Sequence, residues 1–380
     1  MKNIQHKTIA IVGGGPGGLT LARILQMNGA AVKVYERDIN RQARVQGATL
    51  DLHDDAGLKA LREAGLFEAF KANYRPGADV MCIVDNNGHV VLEEHAVAGD
   101  MSRPEIDRGP LREILLDSLH PGTVVWNSRF SSLTPQGEGW LLHFQDAVTA
   151  YADIVIGADG ANSKIRPYIT DIKPFYSGVT GLEGAVYNAA VNAPGISKLL
   201  NGGKIFAMGN NQCLIVSSKG DGSLVFYPSF NADASWYREC GIDFSDRALV
   251  FAWFKETYAG WDNSWYELFE HAEPQFICRP LYCMPLDQTW EALPNLTILG
   301  DAAHLMPPFA GEGVNMAMLD ALELGQCLTS DEFPDVHAAI AAYETQMRAR
   351  AAESAGMTMV STAALHGPDA IPFLLEVIGQ

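Results

Sequence analysis

The sequence predicts an α/β fold in which a Rossmann-like domain is interrupted by a mixed or antiparallel β-sheet domain and followed by a C-terminal helix. Three observations support this prediction. The chain opens with a short apolar strand, a glycine turn and a helix. Its middle third contains short β-prone runs separated by Gly, Asn and Asp turns. An apolar strand and a glycine-rich turn then return near residue 300, before a long alanine-rich helix.

The predicted elements follow the apolar runs along the chain. Those before the middle section are strands over 8–12, 32–35, 123–126 and 152–157 and helices over 19–27, 54–64 and 108–119. The later ones are strands over 213–217, 224–227 and 296–299, helices over 313–327 and 336–355, and an amphipathic tail over 371–378. This order assigns residues 1–73, 101–173 and 286–334 to the first domain, 74–100 and 174–285 to the sheet domain, and 335–380 to the C-terminal helix and tail.

Composition limits the partners of this protein. The chain has 380 residues, of which 48% are hydrophobic, so it has enough material for about two domains with packed cores. Its net charge of -18 disfavours nucleic acids and anionic membranes, which bind basic surfaces. There is no signal-peptide pattern and no apolar run of about 18 residues that would span a bilayer. We therefore expect a cytoplasmic monomer that acts on a small molecule.

The six cysteines are scattered along the chain, with no CxxC pair and no histidine at metal-ligand spacing. This pattern predicts reduced core thiols and no metal site.

A dinucleotide-binding fingerprint lies between the first two predicted strands. Gly13, Gly15 and Gly18 form GxGxxG after a strand and before a helix, and Glu36 ends the next strand. The glycines allow a tight turn, close approach of a pyrophosphate and close packing of helix on strand, while Glu36 can accept hydrogen bonds from ribose hydroxyls. The alternative is a glycine turn in an ordinary α/β protein. The motif alone does not distinguish FAD from NAD.

Three further segments resemble the aromatic-hydroxylase family of FAD-dependent monooxygenases, which is typified by p-hydroxybenzoate hydroxylase. They are residues 107–112, 158–166 and 300–315. The resemblance implies that the first domain is an FAD-binding domain of this type and that Arg108 contacts the flavin cofactor. It also implies that Asp159 lies near the FAD pyrophosphate and the nicotinamide donor, and that Asp301 binds the ribitol of FAD.

The loop after Asp301 is implied to lie against the isoalloxazine, and its cofactor-binding positions would be Pro308, Gly311, Gly313, Val314 and Asn315. A helix that begins near Gly313 would direct free amides at the flavin pyrimidine edge, where negative charge develops on reduction. The alternatives are ordinary ones. Asp301 in isolation would be a turn cap, His304 would satisfy backbone groups, and Arg108 and Arg112 would be surface arginines.

Within that family, the sequence most resembles the tetracycline-inactivating flavin monooxygenases, in segments 35–38, 44–53 and 104–106 and throughout 300–315. The resemblance implies that Arg37, Arg44 and Asp51 lie near the flavin. The sheet domain departs from that subgroup, because Glu183, Lys204 and Val225 stand where it carries glutamine, arginine and histidine, and Tyr227 replaces a glycine. Lost partners would cost roughly 1 to 3 kcal/mol each for a tetracycline.

These four sheet residues and Phe309 are the predicted substrate contacts. The alternatives are that the sheet residues face solvent or a core edge and that Phe309 belongs to the core. A single nucleotide fingerprint suggests that NADPH, or NADH, binds only transiently. The resemblance implies hydride transfer to the flavin, addition of O2 and hydroxylation of a small aromatic or polyketide-like molecule by a flavin hydroperoxide. No catalytic side chain is assigned.

Two alternative functions remain. A flavoprotein of the same fold could catalyse another reaction, as reductases and halogenases do. The halogenase signature Trp-x-Trp-x-Ile-Pro is not matched by residues 261–265, the nearest segment. A non-catalytic protein that binds FAD or a small molecule would show no substrate-stimulated NADPH oxidation.

Overall fold

The computed structural model describes residues 4–43, 47–95, 101 and 103–379. Arg44, one of the residues implied to lie near the flavin, falls outside the described residues. The strands, in chain order, are β1 (Thr8–Val12), β2 (Ala31–Tyr35), β3 (Leu50–Asp51), β4 (Met81–Asp85), β5 (Val90–Glu93), β6 (Glu105–Ile106), β7 (Val124–Val125), β8 (Phe130–Gln136), β9 (Gly139–Phe144), β10 (Thr149–Ala152), β11 (Ile154–Gly157), β12 (Phe175–Val186), β13 (Lys204–Gly209), β14 (Gln212–Ser218), β15 (Leu224–Asn231), β16 (Ile277–Cys283) and β17 (Leu296–Ile298).

The helices alternate with the strands at both ends of the chain and cluster between β12 and β16 in the middle. They are α1 (Pro16–Met27), α2 (Gly57–Glu63), α3 (Phe67–Lys71), α4 (Arg108–Asp117), α5 (Ala189–Asn192), α6 (Pro194–Leu200), α7 (Trp236–Glu239), α8 (Arg247–Thr257), α9 (Tyr266–Glu270), α10 (Asp301–His304), α11 (Gly313–Thr329), α12 (Val336–Leu365) and α13 (Ala370–Val377). No described helix combines the length and the apolar composition needed to cross a bilayer.

A parallel sheet in the order β17-β11-β1-β2-β7 forms the first domain. Its central strands are buried nearly throughout, as expected for a parallel sheet covered by helices on both faces. The chain leaves β1, β2, β11 and β17 at one edge of this sheet. The turns after those strands, which begin at Gly13, Glu36, Ala158 and Leu299, therefore lie side by side.

The second large sheet has the order β16-β12-β15-β14-β13-β4-β5. It is mixed, because β13 and β4 are parallel whereas every other pair of neighbouring strands in this sheet is antiparallel. One face packs against the helices of the middle section through residues such as Leu182, Val216 and Phe226. Because side chains alternate along a strand, the residues between these positions form the opposite face, which is called the inner face below.

Two helix boundaries differ from the sequence prediction for reasons that the structure makes visible. Helix α2 begins at Gly57 rather than near Asp54, because the side-chain Oδ1 of Asn315 accepts hydrogen bonds from the backbone N–H groups of His53 and Gly57. Helix α12 continues ten residues past Ala355, since Thr358 and Thr362 are buried and the hydroxyl of Thr362 donates a hydrogen bond to the carbonyl of Thr358.

The hairpin β8–β9 and strand β10 form a third sheet that the sequence did not predict. Its apolar residues Phe130, Leu142 and Phe144 join the core of the parallel sheet. Polar residues interrupt both strands of the hairpin, so no sustained apolar run marks them. The six cysteines are all free, and burial raises the pKa of Cys213 to about 12.

Candidate active site

The three motif glycines in the turn after β1 have different surroundings. Gly13 has a φ of 111°, and a Cβ there would lie 2.2 Å from the carbonyl oxygen of Ala158. A Cβ on Gly18 would lie 2.2 Å from the carbonyl oxygen of Gly13, so this glycine allows α1 to pack on β1. A Cβ on Gly15 would meet no atom within 4 Å. The middle glycine therefore faces open space at the start of α1, where a pyrophosphate would approach.

Glu36 faces this turn from the end of β2. One carboxylate oxygen accepts a hydrogen bond of 2.6 Å from the N–H of Gly14, and the other accepts one of 2.9 Å from the N–H of Asp38. The residue is only 5% exposed, so these bonds fix its orientation. Each carboxylate oxygen still has a second lone pair, which leaves capacity for a ribose hydroxyl. Arg37 is exposed beside it.

Arg112 has a structural role in the same region. Its guanidinium donates to the carboxylate of Asp38 at 2.8 Å and lies over the ring of Trp126. These contacts hold the segment after β2 against α4. Arg112 is therefore a partly buried anchor for the predicted ribose site and not the surface arginine of the sequence alternative.

The turn at residues 300–304 is held by a buried ionic network on one side. A carboxylate oxygen of Asp320 accepts the backbone N–H of Gly300 at 2.9 Å and lies 2.6 Å from Nε2 of His304. Its other oxygen accepts from Arg350 at 2.7 Å. Burial alone would lower the pKa of His304, but Asp320 raises it above its ordinary value. His304 thus contacts a carboxylate rather than backbone groups, and it anchors the turn.

Arg166 holds the same turn on the other side. Its Nε donates to the carbonyl of Ala302 at 2.8 Å, and Nη2 donates to the carbonyl of Ala303, which also accepts from Gln288 at 3.0 Å. Arg166 is 7% exposed, and burial lowers its pKa to about 10. The sequence placed Arg166 within the Asp-Gly segment but did not predict this role.

Asp159 shapes the segment that leads to Arg166. One of its oxygens accepts the N–H groups of Lys164 and Ile165 at 2.7 and 3.4 Å. The other oxygen is buried without a partner among the described residues, and burial raises the pKa of the carboxyl. Asp159 therefore has one oxygen that holds the loop and one buried oxygen that no described residue satisfies.

Arg108 interacts electrostatically with Asp301 on one side and with Glu183 and Tyr227 of the seven-stranded sheet on the other, and the space between them is called the cleft. Water reaches both Arg108 and Asp301, yet the surrounding protein raises the pKa of the Asp301 carboxyl and lowers the pKa of Arg108 by desolvation. Groups that are both accessible and desolvated line an interior space rather than the outer surface. A Cβ added to Gly313 would lie 4.0 Å from Oδ1 of Asp301, so the first turn of α11 opens beside this carboxylate. The amides of that turn have no acceptor within the helix.

The loop before α11 is fixed by Asn315. This residue is fully buried, and its Nδ2 donates to the carbonyls of Asp51 at 2.9 Å and Gly311 at 3.3 Å. Its side chain therefore holds the loop, and a contact of Asn315 with the cofactor stays a prediction. Pro308 is exposed and Val314 is partly exposed. Gly311 has a φ of 72°, and a Cβ there would lie 3.2 Å from the carboxylate of Asp51.

Asp51 is an ion-paired carboxylate behind this loop. It accepts from Arg103 and lies 3.4 Å from Nε2 of His53. Burial alone would raise the pKa of Asp51, but His53, Lys204 and Arg103 lower it. The carboxylate supports the loop through these cations, next to Gly311.

The inner face of the seven-stranded sheet forms the opposite wall of the cleft, and the four predicted sheet contacts lie on it. Tyr227 accepts a hydrogen bond of 2.8 Å from the N–H of Ala48, whose carbonyl accepts from Nε of Arg108 at 3.0 Å. Burial raises the pKa of Tyr227. Val225 is 4% exposed and offers little surface to a ligand. Lys204 forms an ion pair with Glu105, which is 1% exposed, so its ammonium is held at β6.

Glu183 is paired with Arg279, a residue that sequence reasoning missed. Nε and Nη2 of Arg279 lie 2.7 and 2.6 Å from Oε2 of Glu183. The only available signal was a single charge within the apolar run 277–283. Phe309 packs against the same apolar cluster as Phe206 and Ile215 of the inner face. The buried members of this cluster come from the sheet and from α12 and α13, for example Met208, Leu365 and Leu374.

Phe309 also contacts His366, with ring centroids 4.9 Å apart in an edge-on arrangement. Burial lowers the pKa of His366 to about 4, and its Nε2 lies 2.8 Å from the hydroxyl of Ser229. The neutral imidazole therefore supports Phe309 from behind. Phe309 thus packs at the edge of the core, and its contact with substrate stays a prediction.

A side cleft of about 360 Å³ opens beside Asp301. Its lining includes Met284 and parts of the segment 161–174. No group of three His, Cys, Asp or Glu side chains in the described part of the chain is arranged to hold a metal ion.

Comparison with known proteins identifies relatives of the whole chain. Residues 6–248 and 292–356 match the family described as FAD binding domain. The monooxygenase asqM of Emericella nidulans is 30% identical over 84% of this chain and 83% of its own length. The 6-hydroxynicotinate 3-monooxygenase of Pseudomonas fluorescens is 26% identical over 92% of this chain and 89% of its own. The crystal structure of the tetracycline destructase Tet(51) superposes with a TM-score of 0.74 at 18% identity, covering 97% of this chain and 94% of that one, and shares its fold.

The glycine turn yields a prediction with a built-in control. Gly13→Ala should lower the free energy of unfolding by at least about 2 kcal/mol, because its Cβ would collide with Ala158 at a positive φ. Gly15→Ala should change the free energy of unfolding by no more than about 0.5 kcal/mol but weaken FAD binding about tenfold, because the methyl group points into open space. Urea denaturation and flavin titration measure the two effects. Unchanged FAD affinity in Gly15→Ala would exclude this turn as the pyrophosphate site.

The buried pair of His304 and Asp320 predicts a pH-dependent stability. The pKa of His304 is raised in the folded state above its ordinary 6.5. Its stabilisation is therefore complete below that value and is lost as the pH rises through the folded pKa. Wild type should exceed His304→Gln in free energy of unfolding by more at about pH 6 than at about pH 9.

The matched control for this measurement is His120→Gln, because His120 is exposed after α4. Its difference from wild type should be small and the same at both pH values. A pH-independent difference for His304→Gln would show that the histidine is uncharged in the folded protein.

Proposed function

We propose that this chain hydroxylates a small aromatic or polycyclic molecule with NAD(P)H and O2. The premise is its family, because the chain belongs to the FAD binding domain family and is an FAD-dependent monooxygenase of the aromatic-hydroxylase type. One oxygen atom would enter a C–H bond of the substrate and the other would leave as water. The nicotinamide would supply the two electrons, and a proton would come from solvent. The observation that carries the proposal is the cleft shared by the glycine turn, the turn at residues 300–304 and the inner face.

The residues on the first wall fit FAD. Gly15 gives open access at the N-terminus of α1, and Glu36 keeps acceptor capacity for a ribose. Asp301 presents an accessible carboxylate suited to ribitol hydroxyls, next to the free amides of α11. FAD, when bound, supplies electron transfer from NAD(P)H and activation of O2.

The protein would contribute position, charge and exclusion of water. The N-terminus of α11 would stabilise negative charge on a neighbouring ring, as helix N-termini do. Phe309, Phe206 and Ile215 pack against one apolar cluster, and we infer that this cluster gives the cleft an apolar side that excludes water from a reactive centre. We infer that Tyr227 and Glu183 contact the substrate from the inner face, whereas Lys204 and Val225 act mainly by supporting that wall.

The side cleft beside Asp301 suggests a place for the nicotinamide donor. The segment 161–174 that lines it includes part of the segment that the family resemblance connects with this donor. We propose that NADPH or NADH binds there transiently. We further propose that segments 74–100 and 174–285 act as the substrate domain, since they supply the strands of the inner face. The monomeric state stays a prediction.

The proposal is tested by following NADPH and NADH oxidation by the FAD-loaded protein with phenols, quinolones and tetracyclines. We expect at least one ring compound to stimulate oxidation, and mass spectrometry to show a product heavier by one oxygen atom that carries label from isotopic O2. Tetracyclines are included because of the resemblance noted from the sequence. If no compound is oxygenated while NADPH is still consumed to hydrogen peroxide, the reductase alternative would be favoured.

Asp301→Ala tests the cofactor site separately. Loss of this carboxylate should weaken FAD binding by about tenfold or more, because ribitol hydroxyls would lose a charged acceptor. Flavin absorbance after gel filtration measures retention, and circular dichroism checks that the variant folds. Asp287→Ala is the control, because Asp287 is exposed and lies in the segment just before Gln288. Stoichiometric FAD in Asp301→Ala would contradict the assignment.

A further inference from the structure

Glu183 and Arg279 form a charged pair at one end of the inner face. They lie on neighbouring strands, where Glu183 is opposite Ile277 and Arg279 is opposite Gly181. Glu183 is 8% exposed, whereas 49% of the Arg279 side chain is accessible. The carboxylate is therefore enclosed while the guanidinium remains open to a ligand.

The pair belongs to the cleft and not to the outer edge of the sheet. Strand alternation places Glu183 on the face opposite Leu182, which is buried under the helices. Both members of the pair interact electrostatically with Arg108 on the other wall and with Tyr227. The head groups thus face the space between Arg108 and the sheet, where a substrate would lie beside the cofactor.

Each partner keeps hydrogen-bonding capacity that the pair does not use. Both contacts from Arg279 go to Oε2 of Glu183. Oε1 of Glu183 and Nη1 of Arg279 have no hydrogen-bond partner among the residues that the structure describes. A carboxylate oxygen only accepts and a guanidinium nitrogen only donates. The pair therefore presents one acceptor beside one donor, with no net charge.

We propose that the Glu183–Arg279 pair selects a neutral substrate whose ring edge carries an N–H donor next to a carbonyl acceptor, as in a ring amide. The N–H would donate to Oε1 of Glu183, and the carbonyl would accept from Nη1 of Arg279. A carboxylate at this edge would be repelled by the negative charge of Glu183, and an ammonium would be repelled by the positive charge of Arg279. The inference rests on the proposed function and names the substrate class for the same site.

The test uses calorimetric titration of the FAD-loaded protein, so that binding is measured without turnover. The probes are carbostyril, which is a quinoline ring amide, its N-methyl derivative, which lacks the donor, and quinaldate, which carries a carboxylate. Wild type should bind carbostyril at least about tenfold more tightly than either of the other two, because one charged hydrogen bond is lost or one repulsion is added. Equal binding of carbostyril and quinaldate, or no binding of carbostyril, would overturn the proposal.

Two variants distinguish selection from a structural ion pair. Glu183→Gln leaves Arg279 as an uncompensated cation, so quinaldate should bind about tenfold more tightly than it binds wild type. Arg279→Gln leaves Glu183 as an uncompensated anion, so both carbostyril and quinaldate should bind more weakly. Opposite shifts of quinaldate affinity are not expected from a loss of folding. Arg238→Gln is the control, because Arg238 is exposed on α7, whose Trp236 packs on the other side of the sheet, and its affinities should equal those of wild type.

The outcomes separate this inference from the proposed function. If carbostyril binds as expected but no ring compound is oxygenated, the selectivity stands and the reaction assignment fails. If other ring compounds are oxygenated while quinaldate affinity is unchanged in Glu183→Gln, the enzyme assignment stands and the selective pair is excluded. Should either variant fail to fold, the comparison of the three probes on wild type still decides the question.

Discussion

The clamping of the turn at residues 300–304 is the constraint on which the rest of the site depends. Asp320 holds its first amide and His304, and Arg166 holds the carbonyls of Ala302 and Ala303 at its end. Asp301 lies between these two anchors and is presented to the cleft without a hydrogen bond of its own to the clamp. The same anchors join three distant parts of the chain, because Arg166 follows β11, Asp320 lies in α11 and Arg350 lies in α12. The position of the cofactor carboxylate is thus set by the tertiary fold.

Burying the charged groups of this clamp costs desolvation free energy that a turn with only a structural role would not require. Arg166 is buried against carbonyl dipoles, and desolvation lowers its pKa. Buried charges are neutral or unfavourable for stability when compared with apolar packing, so their presence calls for a reason other than stability. Rigid presentation of Asp301 beside the N-terminus of α11 provides that reason, because a site built for a charged cofactor gains from groups that do not reorganise on binding.

Local rules were sufficient to predict the parts of the site that depend on backbone shape. Gly18 follows from close packing within one βαβ unit, Gly15 from the open space at the start of α1, and Glu36 from the length of that unit. Gly13 was recognised from the same motif, although the atom that excludes a side chain there belongs to Ala158 after β11. Features that depend on distant partners were not predictable. The start of α2 is set by Asn315, more than 250 residues later. The pairing of Glu183 with Arg279 joins strands 96 residues apart, and no local pattern marks it. Lys204 was expected to contact substrate because no local pattern in the sequence indicates its ion-pair partner Glu105. The two residues come together only when β6 and β13 are placed in the fold.

The two walls of the cleft therefore carry different kinds of information. The first wall would recognise its ligand largely through backbone amides, glycines and one carboxylate, which tolerate few changes and explain why a dinucleotide site can be predicted from a short motif. The second wall would recognise its ligand through side chains on an open strand face, where a single exchange alters charge and hydrogen bonding without disturbing the sheet. A fold shared with Tet(51) at 18% identity is consistent with this division, since the fold is preserved while the inner face is free to differ. Substrate identity in this protein is consequently a question about the charge pairs of one sheet face, and the fold alone does not answer it.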